Sequence, residues 1–325
     1  MTKSGVRDIM TITFKGDNDM AKSNKSMQAA KVNKNDEFYT RLEDIEEEIS
    51  MHEDYVRQFE GKTVLCNCDD PEWSNFFLFF RLHFKQLKLK KVIFTHYEKD
   101  GSPSYKLEWS GDYLGYDTLN LIKTPLEGNG DFRSPECVAL LDECDVVVTN
   151  PPFSLFREFV GLLVEHKKDF VIIGNKNSVT TKEIFPKFQD GTIALGYTSP
   201  HNFILPKDAP KTSVDGLCKW FTTFKLDKYN EELPLCGQYE GHEDEYPKYD
   251  NYDAIEVNQI RRIPRDYDGI MGVFGPTFFE KFNKEQFEII GMGASHGKTP
   301  RNIPNECGCI NGKWVNARIF IRRKK

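Results

Sequence analysis

The chain has 325 residues, 39% apolar and 29% charged, with 44 Lys and Arg against 50 Asp and Glu and a formal net charge of −6. That balance fits a soluble globular protein of about two domains, and no apolar run approaches the ~18–20 residues of a membrane span or forms a signal segment. A pI near 5.8 weighs against a nucleic-acid partner, until the charge is followed along the chain.

Residues 1–34 are polar, rich in Lys, Ser and Asn and without periodicity, which predicts a disordered basic arm. Within it, Met20 to Lys34 holds four lysines and no acid. From Arg41 to Glu60 the sign reverses, with eight acids against two bases, so this stretch alone accounts for the whole net charge. Ile45, Ile49 and Val56 form a sparse apolar stripe there, which predicts a helix with a solvated acidic face. Thr63–Asn67 reads as a strand, Phe76–Leu87 as a helix and Lys91–Thr95 as a second strand. Asp145–Thr149 and Asp169–Gly174 are continuous apolar runs short enough for strands buried on both faces. Leu155–His166 has helical spacing between them, and this alternation implies a mostly parallel α/β sheet.

Past Gly191 the pattern changes. Thr192–Leu195, Asn202–Leu205 and Lys219–Phe224 predict strands without long helices between them, hence an antiparallel edge. From about Lys228 the chain is rich in Tyr, Asp and Gly, which predicts a smaller, irregular C-terminal region. Val257 to Lys325 carries thirteen bases and six acids, a concentration suited to neutralising phosphates. Eight cysteines show no zinc-type spacing, and free thiols in a reducing cytoplasm are expected.

The segment richest in chemistry is Asp145–Phe153. A buried strand runs directly into Asn150-Pro151-Pro152-Phe153, and the carboxyl ends of parallel strands are where ligands bind. The two prolines contribute no N–H and leave the Pro151 carbonyl outward as an acceptor. Asn150 adds another acceptor, and Phe153 a flat face. Two acceptors and a ring suit a planar group bearing an exocyclic amine. An ordinary strand-end turn is the alternative.

Asn150–Phe153 resembles the catalytic motif of amino-directed, S-adenosylmethionine-dependent DNA methyltransferases. Longer blocks are more specifically similar to the EcoRI family of adenine methyltransferases: Lys34–Thr40, Asn67–Phe77, Gly130–Ser134, Thr149–Phe159, Tyr246–Ile255 and Met271–Gly291. They run from Lys34 to Gly291, so the resemblance extends over most of the chain. The resemblance implies a Rossmann-like methyltransferase fold with an appended C-terminal region. It implies transfer of a methyl group from S-adenosylmethionine to N6 of a flipped-out adenine in double-stranded DNA, with no metal required. It also implies that relatives start near Met20, making residues 1–19 an extension or the product of a misplaced start codon.

Position by position, the resemblance assigns the cofactor to Phe38, Tyr39 and Thr40, to Asn67, Cys68, Asp69, Asp70 and Pro71 after the first strand, to Glu98 after the second, and to Asp131 with Phe132. Each has an ordinary structural alternative: an aromatic staple for Phe38–Thr40, a surface acid for Glu98, a Gly-Asp loop for Asp131. Many methyltransferases carry a glycine-rich turn where this chain has Asn67–Pro71, which leaves the contacts of Asp69 and Asp70 open. Asn150, Pro151, Pro152 and Phe153 form the expected catalytic group, with Phe153 and Phe203 stacking on the target base and Trp220 as the alternative to Phe203.

Arg261, Arg262, Arg265, Lys298 and Arg301 are candidate DNA contacts. The expected organisation is a basic arm over 1–34, a cofactor-binding and catalytic domain over 35–228, and target recognition over 229–325. A monomer in a bacterial or phage-infected cytoplasm is expected, with a cognate restriction endonuclease as a candidate companion and GAATTC as a candidate site. Two alternatives stand beside this reading: methylation of another amino group (cytosine N4, RNA or protein glutamine), and DNA binding without catalysis.

Overall fold

The computed structural model describes residues 40–114, 118–201, 203, 216–293, 308–315 and 318–324. They form two compact units. The first comprises residues up to Asn175 together with Gly196–Phe224, and the second comprises Lys176–Leu195 and Lys225 onward.

The first unit runs α1 (Leu42–Met51), α2 (Tyr55–Phe59), β1 (Thr63–Cys66), α3 (Asn75–His83), β2 (Lys91–Thr95), β3 (Tyr105–Trp109), β4 (Ile122–Pro125), α4 (Pro135–Glu143), β5 (Val146–Thr149), α5 (Phe156–Glu165) and β6 (Asp169–Asn175). The chain then passes through α6 (Phe185–Gln189) and β7 (Ala194–Leu195) of the second unit before returning as β8 (Cys218–Thr222). Strands of the first unit lie in the order β4-β3-β2-β1-β5-β6-β8. The pairs β2–β1, β1–β5 and β5–β6 are parallel, whereas β3, β4 and β8 run antiparallel to their neighbours.

The expected mostly parallel sheet with an antiparallel border is therefore present, and the border lies on both sides. Tyr105–Trp109, a strand beyond those predicted, alternates as an antiparallel strand does, with Leu107 and Trp109 turned inward. β4 is short, largely exposed and ends in Pro125, as an edge strand tolerates. The stretch predicted as a strand over Asn202–Leu205 lies outside the described residues apart from Phe203.

Both β1 and β5 are buried along their whole length, because helices cover both faces and Val and Leu side chains fill both sides. The helix after β1 starts where Ser74 caps it, its Oγ accepting from the Phe76 N–H at 3.1 Å. It stops at His83, four residues short of the predicted end, and Lys88 turns the chain at φ +51° so that Leu87 and Leu89 enter the core. Ser134 caps α4 in the same way, with Pro135 at its first turn.

The acidic helix departs most from expectation. Ile45 and Ile49 enter the core as predicted, but the predicted helix is broken before α2, where Val56 is only half-buried, and Asp44 and Glu48 are buried beside the two isoleucines. The second unit is loop-rich and also carries a four-stranded sheet. Its strands β9 (Ala254–Val257), β10 (Ile270–Phe274), β11 (Phe287–Met292) and β14 (Arg318–Arg323) lie in the order β11-β14-β10-β9, with the short α7 (Gly275–Phe278) after β10. A separate hairpin joins β12 (Cys309–Ile310) to β13 (Lys313–Trp314) through Asn311-Gly312, both at positive φ. No described helix is long and apolar enough to cross a membrane.

One glycine of the first unit is dictated by space. Gly130 sits at φ +82°, and a Cβ there would stand 1.9 Å from the His96 carbonyl oxygen. Gly130→Ala is expected to cost roughly 1–3 kcal/mol and to lower the melting temperature by several degrees in a thermal scan.

Candidate active site

Four parallel strands, β2, β1, β5 and β6, end at the same edge of the sheet. Between β1 and β5 the winding direction reverses: the chain leaves β1 toward β2 and later comes back to lay β5 on the other side. Such a reversal separates the two outgoing loops and opens a crevice outside the strand ends. Asn67–Pro71 leave β1 there, and Asn150–Phe153 leave β5.

The two loops are tied by one carboxylate. Asp69, buried, accepts the Thr149 hydroxyl proton at 2.5 Å and the Asn150 N–H at 3.1 Å, both on Oδ2. Thr149 Oγ1 in turn accepts the Cys68 N–H at 3.1 Å, which closes the link. Charge-assisted bonds of this kind contribute about 1.5–3 kcal/mol each and fix geometry. They hold Asn150 and the prolines after it against the first loop. Burial pushes the Cys66 and Cys68 thiols well up, and the nearby Asp69 charge adds to that shift. Both stay protonated and unreactive at neutral pH.

The loop after β2 is built around His96. Its ring stacks on Tyr105 (centroids 4.9 Å, 16° between planes), Nε2 lies 3.0 Å from Glu98 Oε1, and Nδ1 stands 3.4 Å from Asp70 Oδ2 without hydrogen-bond alignment. Tyr105 donates to Glu72 Oε1 at 3.0 Å, and Lys123 Nζ sits 3.5 Å over the Tyr105 ring. Histidine 96 thus links the first two loops, Asp70 on one and Glu98 on the other.

The turn at 129–132 docks onto the second loop. The Asn129 carbonyl accepts the Glu98 N–H at 2.8 Å, Asn129 Nδ2 donates to the Glu98 carbonyl at 3.2 Å, and Gly130 abuts His96. Asp131 and Phe132 are thereby carried to the end of β2. Arg133 forks onto the Asp131 carboxylate at 2.9 and 2.6 Å and holds it below the usual carboxylate range. Phe132 is buried edge-on to Phe159 of α5 at 5.0 Å.

Of the other predicted residues, Thr40 is buried just before α1, and its carbonyl accepts from Asn75 Nδ2 at 2.8 Å. Phe38 and Tyr39 lie outside the described residues, as do Lys298 and Arg301. Pro71 is buried. Phe203 belongs to the main apolar cluster of the first unit, and Phe153 packs against that cluster, half-buried. Trp220 is fully buried in the same cluster, edge-on to Phe76. In the second unit Arg261, Arg262 and Arg265 are exposed on one short segment, Arg262 pairing with Glu245.

Four buried polar atoms around this edge lack a hydrogen-bond partner: Asn67 Nδ2 at the end of β1, Thr95 Oγ1 at the end of β2, His96 Nδ1 just after it and Thr40 Oγ1 before α1. Orphaned groups of this type normally find a bound molecule or water. Sequence reading missed Thr149, His96 and Glu72 as parts of the site. A threonine closing an otherwise aliphatic strand was the available signal for the first of them.

The chain matches the family model described as "Adenine-specific methyltransferase EcoRI" over residues 26–324. It is 40% identical to the Type II methyltransferase M.EcoRI of Escherichia coli, over 93% of this chain and 98% of that protein. It is also 38% identical to M.MgeORF184P of Mycoplasma genitalium and 40% identical to M.MpnI of Mycoplasma pneumoniae, both Type II methyltransferases, over 91% of this chain in each case. No solved structure matches it.

The Asp70 carboxylate holds the His96 pKa above its ordinary value, with burial opposing and Glu98 reinforcing. A raised folded-state value stabilises fully below the unfolded histidine pKa of about 6.5 and is lost as pH rises through the folded value. The stability gap between wild type and His96→Gln should therefore be wider at about pH 5.5 than at about pH 8.5 in denaturant titrations. Asp69→Asn turns an amide toward two donors, and methyl transfer should fall at least about tenfold in single-turnover assays while the fold persists.

Proposed function

The chain belongs to the EcoRI family of adenine-specific methyltransferases, and we propose that it transfers the methyl group of S-adenosylmethionine to N6 of an adenine flipped out of duplex DNA. The observation that carries this reading is the Asp69–Thr149–Asn150 link, which anchors a carbonyl-rich, N–H-poor tetrapeptide at the reversal point of a parallel sheet.

The residues fit a methyl donor with polar ends. Orphaned Asn67 Nδ2 and Thr40 Oγ1 suit its amino-acid portion, Glu98 its ribose hydroxyls, and Asp131 with Phe132 its adenine. Asp69, Asp70 and Pro71 shape the loop around it. S-adenosylmethionine supplies an electrophilic methyl on a cationic sulfur. Asn150 and the Pro151 carbonyl accept the hydrogens of the target amine, Pro152 stiffens the turn, and Phe153 stacks on the base. Two acceptors on those hydrogens build density on N6, whose lone pair forms the new N–C bond as the S–C bond breaks. S-adenosylhomocysteine would leave as the neutral thioether, the methylated cationic amine would release one proton to solvent, and no covalent enzyme adduct is required.

Flipping costs a few kcal/mol. Stacking on Phe153 and Phe203 recovers roughly 1–3 kcal/mol per base. Residues 35–228 carry cofactor and chemistry in this reading, and 229–325 carry target recognition through Arg261, Arg262, Arg265, Lys298 and Arg301, with 1–34 as a basic arm. The enzyme acts as a monomer in the cytoplasm, on a site for which GAATTC is the candidate, with a restriction endonuclease of the same system as a companion that it need not touch.

Labelled methyl from S-adenosylmethionine should appear in duplex DNA as N6-methyladenine on nucleoside analysis; N4-methylcytosine would overturn the target assignment. Asn150→Ala is expected to abolish transfer, by at least about a hundredfold, while leaving duplex binding in gel-shift assays within about threefold.

A further inference from the structure

The two buried acids of α1 have a partner segment that explains them. Glu48, fully buried, accepts four donors: the Tyr197 N–H at 2.9 Å, the Thr198 N–H at 2.7 Å, the Thr198 hydroxyl at 2.8 Å and His52 Nε2 at 2.8 Å. One turn earlier, Asp44 accepts the His201 N–H at 3.2 Å and is forked by Arg41 at 3.1 and 2.6 Å. Space confirms that the segment is built around the carboxylate. A Cβ on Gly196 would stand 2.1 Å from Glu48 Oε1 and 2.7 Å from Trp220 Cβ. His52 closes the far side, edge-on to Tyr197 and Phe224 at 5.7 Å each. Burial alone would raise the Glu48 pKa, but His52 and the Thr198 donors hold it below the usual carboxylate range.

Phe203 follows His201 by two residues and shares a cluster with Ile45 and Ile49, the apolar neighbours of these acids on α1. We infer that Glu48 and Asp44 are positioning residues for the target base, clamping residues 196–201 so that Phe203 is presented in one place. The inference rests on the stacking role proposed above for Phe203. The same helix starts two residues after Thr40, so one rigid element carries a cofactor residue at its head and the base-side clamp along its flank.

A double-mutant cycle between Glu48→Gln and Phe203→Ala tests this. In the wild-type background Glu48→Gln should slow single-turnover methyl transfer about tenfold, yet keep the Kd for S-adenosylhomocysteine within about twofold. In the Phe203→Ala background the same change should cost less than about twofold, because the ring that it positions is gone. Should Glu48→Gln not fold, Asp44→Asn carries the cycle, since it leaves the buried Glu48–His52 pair intact. Effects that multiply independently, or a loss of cofactor affinity in step with the rate, would overturn the clamp. Full turnover by Phe203→Ala alone would instead remove the stacking role, and the clamp with it.

Discussion

The crevice between β1 and β5 depends on the carboxylate of Asp69. A parallel sheet whose winding reverses leaves two loops diverging from adjacent strands, with no ladder to hold them. Burying a charge between them is costly unless it is fully hydrogen-bonded. Here Thr149 and the Asn150 N–H supply the bonds, and Cys68 extends the link back to the first loop. The carboxylate therefore converts a topological gap into a fixed distance. Prolines 151 and 152 carry that fixity outward, since neither contributes an N–H to be satisfied and both restrict φ.

The loop after β1 lacks the glycine-rich turn common in methyltransferases, and Asp69 and Asp70 show what replaces it. A glycine turn lets a backbone approach a ligand closely. Asn67–Pro71 instead use side chains: Asp69 fastens the loop to β5, while Asp70 accepts the Glu72 N–H and faces His96. The strand-end positions of these residues were legible in the sequence, because continuous apolar runs mark buried parallel strands whatever their order. Their mutual bonding was not. It joins positions some 80 residues apart in the chain, and no local pattern reports which of several adjacent acids turns inward.

The same limit explains α1. Periodicity picked out Ile45 and Ile49 correctly, and eight acids in twenty residues made a solvated face the natural expectation. Two of those acids are buried because their partners are backbone N–H groups of residues 197–201. Backbone donors carry no sequence signature. Conversely, Tyr-Lys-Leu-Glu-Trp of β3 alternates plainly but has no continuous apolar run, because a border strand buries one face where a central strand buries two.

Charge is also divided by role. The strand-end edge is lined by Asp69, Asp70, Glu72 and Glu98, moderated by His96 and Lys123. An acidic edge favours a cation such as a sulfonium and repels phosphate, by about 1 kcal/mol per pair of unit charges at 4 Å even in bulk water. A duplex held against such an edge needs its phosphates neutralised by other residues. The sequence from Val257 onward supplies thirteen bases against six acids, and counterion release from phosphates rewards that concentration rather than the chain's total. A net charge of −6 is therefore compatible with a DNA substrate: the excess of acids lies in residues 41–60, while the bases are gathered in a different stretch of chain.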